Sequence, residues 1–333
     1  MSNPTETQIG AGDVSGAGLF GLFLLAAAVF SGPAIAQGQS PGDASIRLEY
    51  QYILTDRFYD DVWTYDAWTT ESHVVMLSGD YAFSERWSAY ASLPYVQKKF
   101  NCLVPVWCDP HNPNDPYWVD FVPPDKRFID DGDYHGGLQD LSFGLVYRAL
   151  EGPLTISPYI GYGFPTNDYP FFAKAAIGMN LWNLPVGATF SYVPYFSDWH
   201  FRGNLAYVFS EKPLDINVDF WLANLSAGYW FSQRLSVNVF LSAKWILDGL
   251  EMPWDFTDDP FYGNYPGDFD TREWWQHDRL IGHRNVNLGV GVDYFLGESS
   301  KLSGSYYTGI HAEQSSEVDY AFTLAYTRYF DGD

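Results

Sequence analysis

The stretch Arg234–Trp245, which reads RLSVNVFLSAKW, sets the pattern that the rest of the chain repeats. Apolar and mostly polar residues alternate along it one by one, which is the pattern of a β-strand with two different faces. Its length is close to the roughly 9 to 11 residues that a tilted strand needs to cross a bilayer. One face holds Leu235, Val237, Val239, Leu241, Ala243 and Trp245, and the other holds Ser236, Asn238, Phe240, Ser242 and Lys244.

The same alternation returns in Asn285–Leu296 and in Asp140–Ala149. In a soluble sandwich the apolar face of such strands would point to the core, whereas in a membrane barrel it points to lipid. Aromatic residues recur at the strand ends, and very short turns alternate with longer loops, as in outer-membrane proteins. The last segment, Val318–Phe330, is an alternating strand that ends on an aromatic residue. We therefore predict an all-β fold, a transmembrane antiparallel up-and-down β-barrel in the bacterial outer membrane.

The strand count follows from the segments between turns, and an even number keeps both termini on one side. We predict about 14 strands, with 12 as the alternative, since 214–231 must hold a tight hairpin near Leu222 to supply two of them. The segments lie near 44–54, 72–83, 87–97, 138–149, 153–163, 171–182, 185–195, 201–209, 214–221, 224–231, 234–246, 283–296, 301–310 and 318–330.

The N-terminus carries the only long apolar run, Gly18–Phe30, which is too short to span a bilayer as a helix. It is followed by Ala34-Ile35-Ala36, which fits the small-residue rule for signal peptidase. No Lys or Arg precedes Arg47, so the positive start of an ordinary signal is missing. We predict a signal peptide over 1–36 and a barrel over 37–333.

The charge is strongly acidic, at a formal −23, which excludes nucleic-acid binding through phosphates. Most of the excess falls in three stretches predicted as long loops, 55–71, 100–137 and 248–281. Carboxylates there offer oxygen ligands for Ca²⁺, but solvated loop charge is the better explanation, because none of the clusters matches the EF-hand loop. The clusters are Asp130, Asp131 and Asp133, then Asp255–Asp259, and then Asp268 with Asp270. We otherwise expect no cofactor and no metal site. Outer-membrane lipid and lipopolysaccharide are the expected surroundings of the barrel.

With the apolar faces toward lipid, the inward positions carry charges of both signs. Charges at membrane depth are costly unless they are paired or hydrated, so they line a wet channel or brace the wall through salt bridges. The predicted lumen-lining residues are Arg47, Glu49, Asp80, Asp140, Arg148, Lys174, Arg202, Asp215, Asp219, Lys244 and Asp293.

The only cysteines, Cys102 and Cys108, lie in the second long loop, where an oxidising compartment favours a disulfide between them. A metal site with His111 is the alternative, although its spacing is unlike the usual zinc patterns. His277 and Asp278 are the one juxtaposition that suggests an outer-membrane hydrolase, and no nucleophile elbow accompanies them. We therefore expect no catalytic residues and no enzyme.

The stretch Tyr134–Leu150, YHGGLQDLSFGLVYRAL, resembles the signature strand of the "MetA-pathway of phenol degradation" family of outer-membrane proteins. That strand typically reads GLGDL and ends in Tyr-Arg or Tyr-Lys, and this chain has Gln139 in place of the second glycine. The resemblance implies a porin-like channel for passive uptake of small hydrophobic or aromatic compounds. A structural or adhesive barrel with a packed lumen is the alternative, and a hydrolase is a further one.

Overall fold

The wall of the molecule is a single antiparallel sheet that closes on itself, because the last strand pairs with the first. The computed structural model describes residues 40–59, 64, 65, 68–103, 129–251 and 278–332. In chain order the strands are β1 (Ala44–Tyr59), β2 (Thr64–Tyr65), β3 (Trp68–Ala82), β4 (Trp87–Cys102), β5 (His135–Leu138), β6 (Asp140–Tyr147), β7 (Leu154–Pro165), β8 (Asn183–Tyr192), β9 (Trp199–Ser210), β10 (Phe220–Trp230), β11 (Leu235–Ile246), β12 (Arg284–Phe295), β13 (Ser300–Glu313) and β14 (Ser315–Phe330).

Within the described residues, twelve strand positions form the closed wall. Strands β5 and β6 both pair with β4 and follow each other along it, so together they occupy one position, interrupted at Gln139. The two-residue β2 pairs only with the end of β1. The predicted transmembrane barrel is therefore confirmed, and its strand count is the alternative of 12; the count of 14 is wrong.

Two predicted strands, 171–182 and 214–221, are absent, because their backbones adopt conformations that a strand does not contain. Residues 171–182 form no strand, and both Ala173 (φ 96°) and Asn180 (φ 52°) adopt left-handed conformations that a strand does not contain. The predicted strand 214–221 is instead a 3₁₀ turn, Pro213–Asp215, with Leu214 at φ 55°. The strand predicted over 224–231 is β10, which starts earlier at Phe220 and takes in Leu222 without a hairpin.

The two faces of the wall differ as the alternation requires. On β1 the side chains of Ile46 and Leu48 are 51% and 53% exposed, whereas Glu49 and Gln51 are 4% and 1% exposed. The outward set is aliphatic and aromatic on every side of the barrel, which suits contact with lipid. Among the described residues, no helix has the length and hydropathy needed to cross a bilayer.

Both ends of the described barrel chain lie at the same rim. Ala44 pairs with Phe330 and with Tyr81, so the start of β1, the end of β14 and the β3–β4 turn lie together. Strands β1 and β3 extend into the stretch 55–71, which shortens the loop predicted there. Several predictions fall on residues outside the described ranges: the signal peptide 1–36, Cys108, His111, His277, Asp255–Asp259, Asp268 and Asp270.

Candidate functional site

The connection between β7 and β8, residues 166–182, has its middle inside the barrel, and we call this connection the inner segment. Its Ala175, Ala176 and Leu181 are 0% exposed. They belong to a cluster of buried side chains drawn from strands around the wall, namely Ile53, Trp68, Val74, Val96, Phe100, Val208, Phe220, Ile246, Tyr307 and Ala321.

The inner segment reaches two opposite sides of the wall. Lys98 Nζ on β4 donates to the carbonyl oxygen of Ala176 at 3.3 Å. Met179 Sδ lies 3.7 Å from Lys244 Nζ on β11. Strand β4 holds the third of the twelve positions and β11 the ninth, so these contacts are half a circumference apart. The inner segment therefore crosses the lumen.

Two carboxylates hold the middle of the inner segment. The backbone N–H groups of Lys174 and Ala175 donate to Asp130, at 2.9 Å and 2.7 Å. The N–H of Ala173 donates to Asp278 at 2.7 Å. Three consecutive amides thus end on charged acceptors, which form stronger hydrogen bonds than neutral ones. A strand would have given these amides to neighbouring strands, so the carboxylates replace a sheet partner.

Lys174 lies at the centre of this arrangement and is fully buried. Its Nζ lies 2.8 Å from the centroid of the Trp68 ring, a cation–π geometry. Burial holds the pKa of the Lys174 ammonium well below its usual value, while Asp130 and Asp278 act in the opposite direction. Burial likewise raises the pKa of Asp130, opposed by the two amides that donate to it. The two buried groups of opposite charge therefore depend on each other.

The strand that carries the family resemblance also anchors the inner segment. Gln139 Nε2 donates to the carbonyl oxygen of Ile177 at 2.7 Å, and the Tyr169 hydroxyl donates to Asp140 at 2.5 Å. The Thr166 hydroxyl donates to the carbonyl oxygen of Gln139 at 2.8 Å. Gln139, where the resembling family has glycine, therefore contributes a side chain that binds the inner segment.

Several predicted lumen residues lie on the inner face of the wall and pair with neighbours. Arg47 Nε donates to Glu49 at 2.9 Å, and Lys301 Nζ lies 3.4 Å from Asp293. The Ser45 hydroxyl donates to Asp80 at 2.5 Å. On β9, Arg202 shares the face of the buried His200 and Asn204 but is itself exposed. Whether these residues line the path of a solute stays a prediction.

Four other predicted residues lie outside the strands. Lys174 belongs to the inner segment, and Asp215 is an exposed residue of the 3₁₀ turn, because the strands predicted at both places are absent. Arg148 follows β6 and donates to the carbonyl oxygen of Glu85 at 3.3 Å, at the rim of the short turns. Asp219 precedes β10 and accepts the N–H of Ser210 at 2.8 Å.

The sequence predicts other roles for the two carboxylates that hold the inner segment. Asp130 belongs to an acidic cluster that offers ligands for Ca²⁺, and Asp278 stands beside His277 in the pair that suggests a hydrolase. The neighbouring Asp131 accepts from His135 at 2.7 Å, so its carboxylate has a protein partner of its own. Among the described residues, no group of three or more His, Cys, Asp or Glu side chains could hold a metal ion. Lys98 was missed because its strand was predicted to end at 97, although its parity with Val96 and Phe100 places it inward.

Cys102 is the last residue of β4, and its predicted partner Cys108 is not among the described residues. The disulfide therefore stays a prediction, as does Ca²⁺ binding in the loops.

Comparison with known proteins gives one family and several barrels. The profile of the family described as "Putative MetA-pathway of phenol degradation" matches residues 114–321. An outer membrane channel from Pseudomonas putida F1 superposes with a TM-score of 0.62 at 13% identity, over 90% of this chain and 99% of the other. The translocator domain of the autotransporter NalP from Neisseria meningitidis gives 0.49 at 11% identity, over 88% of this chain and 90% of the other. A comparison with curated proteins gave no match. The first superposition supports the barrel fold.

Proposed function

Because the chain belongs to the family described as "Putative MetA-pathway of phenol degradation" and forms a closed barrel of the outer membrane, we propose that it is a channel for passive uptake of small hydrophobic or aromatic compounds. The observation that carries this proposal is the apolar and aromatic lining around the inner segment. A pore for hydrophilic solutes has a polar, water-filled interior. Here polar residues such as Glu49 and Gln51 also face inward, but rings and aliphatic side chains pack around the inner segment.

The interior offers surfaces on which an aromatic solute can pack. Phe240 and Tyr307 lie on β11 and β13 with ring centroids 6.2 Å apart in an edge-on arrangement. Trp68 and Phe100 lie near the inner segment on the opposite side, both within cation–π distance of Lys174. Offset and edge-on ring contacts favour aromatic partners over sugars of the same size. The lining therefore favours an apolar solute over a sugar.

A structural or adhesive barrel with a packed lumen is the second candidate. The complete burial of Ala175, Ala176 and Leu181 favours it, because a segment packed this tightly leaves little room beside it. In the channel the inner segment moves aside when a solute enters, whereas in the packed barrel it stays in place. We also propose that the exposed aliphatic band contacts outer-membrane lipid and that the acidic loops meet lipopolysaccharide.

Flux into proteoliposomes separates the candidates. The full-length protein is reconstituted, and entry of toluene and phenol is compared with entry of arabinose, with protein-free liposomes as the baseline. We expect the barrel to accelerate the aromatic solutes more than the sugar. The protein is taken as folded if boiling changes its migration on a denaturing gel. If each solute then enters at the rate measured in protein-free liposomes, the channel is contradicted and the packed barrel is supported.

A further inference from the structure

Lys244 is a buried cation on the inner face of β11. It is 7% exposed, and it shares its face with Ser242 and the fully buried Ile246. Its Nζ lies 3.7 Å from the thioether sulfur of Met179 and 4.5 Å from the centroid of the Phe220 ring. Both neighbours are soft and uncharged, and a thioether is a weak acceptor.

Two other inward cations have carboxylate partners, since Lys301 lies 3.4 Å from Asp293 and Arg47 is bonded to Glu49. Lys174 is attracted by the charges of Asp130 and Asp278, whose oxygens accept backbone N–H groups of the inner segment. Within the part of the chain that the structure describes, Lys244 forms no ion pair. A buried ammonium is costly unless an anion pairs with it, so this position is suited to binding an anion.

A second basic side chain borders the same place. His283 immediately precedes β12, the strand that pairs with β11 next to Lys244, and it is 3% exposed. Burial and the charges of Lys244 and Lys98 hold the pKa of His283 well below its ordinary value. His283 and Lys244 therefore border the same part of the interior.

Apolar side chains lie next to this part of the interior on the lumen side. Phe240 lies two residues before Ser242 on β11 and therefore faces inward as well, and its ring lies against Tyr307. Leu222 on the adjacent β10 pairs directly with Lys244 in the sheet. A cation at one end and rings at the other match a small amphipathic anion.

We propose that Lys244 binds the carboxylate of an aromatic monocarboxylate whose ring packs against Phe220 and Phe240. The carboxylate takes the position that the Met179 thioether holds beside Nζ, so a charge-assisted hydrogen bond replaces a weak contact. This inference rests on the proposed channel and narrows its solutes to those that pair an aromatic ring with one negative charge. It also assigns Met179, and with it the inner segment, as the group that the solute displaces.

The test compares benzoate with benzamide, which have the same ring and nearly the same shape but differ in charge. Binding to the detergent-purified full-length barrel is followed by quenching of tryptophan fluorescence and by calorimetry. The variant is Lys244→Met, which keeps the length of the side chain and removes the charge. Lys212→Met, at a side chain 50% exposed in the connection between β9 and β10, is the matched control.

We expect the unaltered protein and Lys212→Met to bind benzoate at least ten times more tightly than benzamide. We expect Lys244→Met to lose that preference while its benzamide affinity is unchanged. Met179→Ala, which removes the thioether and keeps the charge, should bind benzoate as tightly as the unaltered protein or more tightly. Equal benzoate affinity in the unaltered protein and Lys244→Met would overturn the proposal.

Flux separates this inference from the proposed function. If toluene and phenol enter proteoliposomes faster than protein-free liposomes, but the affinity for benzoate is the same with and without Lys244, the channel stands and the carboxylate site is wrong. If no aromatic solute enters at all, the channel itself is wrong. Heat-modifiable migration of each variant on a denaturing gel shows that the barrel has folded before its binding is compared.

Discussion

Removing the Asp130 carboxylate should release the inner segment from the lumen. In Asp130→Ala, the N–H groups of Lys174 and Ala175 lose the acceptor that they reach at 2.9 Å and 2.7 Å. A hydrogen bond to a charged group contributes about 1.5–3 kcal/mol, so the two together contribute about 3–6 kcal/mol to docking of the segment. Since about 1.4 kcal/mol changes an equilibrium tenfold, the ratio of docked to released segment should fall by about 10² to 10⁴.

The assay is single-channel conductance in planar bilayers, with arabinose-driven swelling of proteoliposomes as the second measurement. Release of the segment widens the lumen, so we expect larger or more frequent conductance steps and faster swelling. Asp131→Ala is the matched control, because it removes the adjacent carboxylate, which accepts from His135 at the loop rather than from the inner segment. Its conductance should equal that of the unaltered protein.

The reasoning is refuted if folded Asp130→Ala conducts like the unaltered protein. That result would mean that packing of the buried side chains alone holds the segment, with no measurable share from the carboxylate. An equal rise in both variants would also count against it, because the effect would then follow from loop charge.

Three further predictions test other parts of the barrel. Tyr169→Phe removes the hydroxyl that donates to Asp140 on β6, a loss of about 1.5–3 kcal/mol. Conductance should therefore rise by less than in Asp130→Ala, and no rise at all would argue against anchoring of the inner segment by the signature strand. Gly144→Val should lower the heating temperature at which gel migration changes, because a Cβ there meets the Tyr90 ring at 2.6 Å and overpacking costs about 1–3 kcal/mol. Gly304→Val should leave that temperature unchanged, because the nearest atom to a Cβ there is 3.7 Å away. Leu324→Arg, on an outward side chain 60% exposed, should cost about 2–4 kcal/mol in urea unfolding if it lies near the bilayer centre, and Leu324→Ala should cost less.

The barrel could be predicted because alternation reports directly on a strand with two faces. Arg234–Trp245 and Asn285–Leu296 have the alternation that the structure shows in β11 and β12, which pair with their apolar residues on the same face. The count failed where apolar residues had another cause. Residues 171–182 are apolar because they are buried inside the barrel, and a short apolar run does not distinguish that from a strand.

The candidate site was less predictable, because its contacts join distant parts of the chain. Asp278 accepts the N–H of Ala173 across 105 residues, and no spacing rule relates the two. Asp130 was read as loop charge, since an aspartate in a cluster of acids is usually solvated. The signature strand carries a local signal, which indicates a family but does not locate the anchor of the inner segment.

By itself, the sequence determined that this protein is a membrane barrel with an aliphatic outer face, because the two-residue period of a strand assigns every side chain to one face or the other. The tertiary structure decided what fills the barrel. It brought the inner segment across the lumen, placed two carboxylates on three of its amides, and left Lys244 beside a thioether and a ring. Those arrangements depend on which residues meet when the sheet closes, and closure is a property of the whole wall rather than of any one stretch.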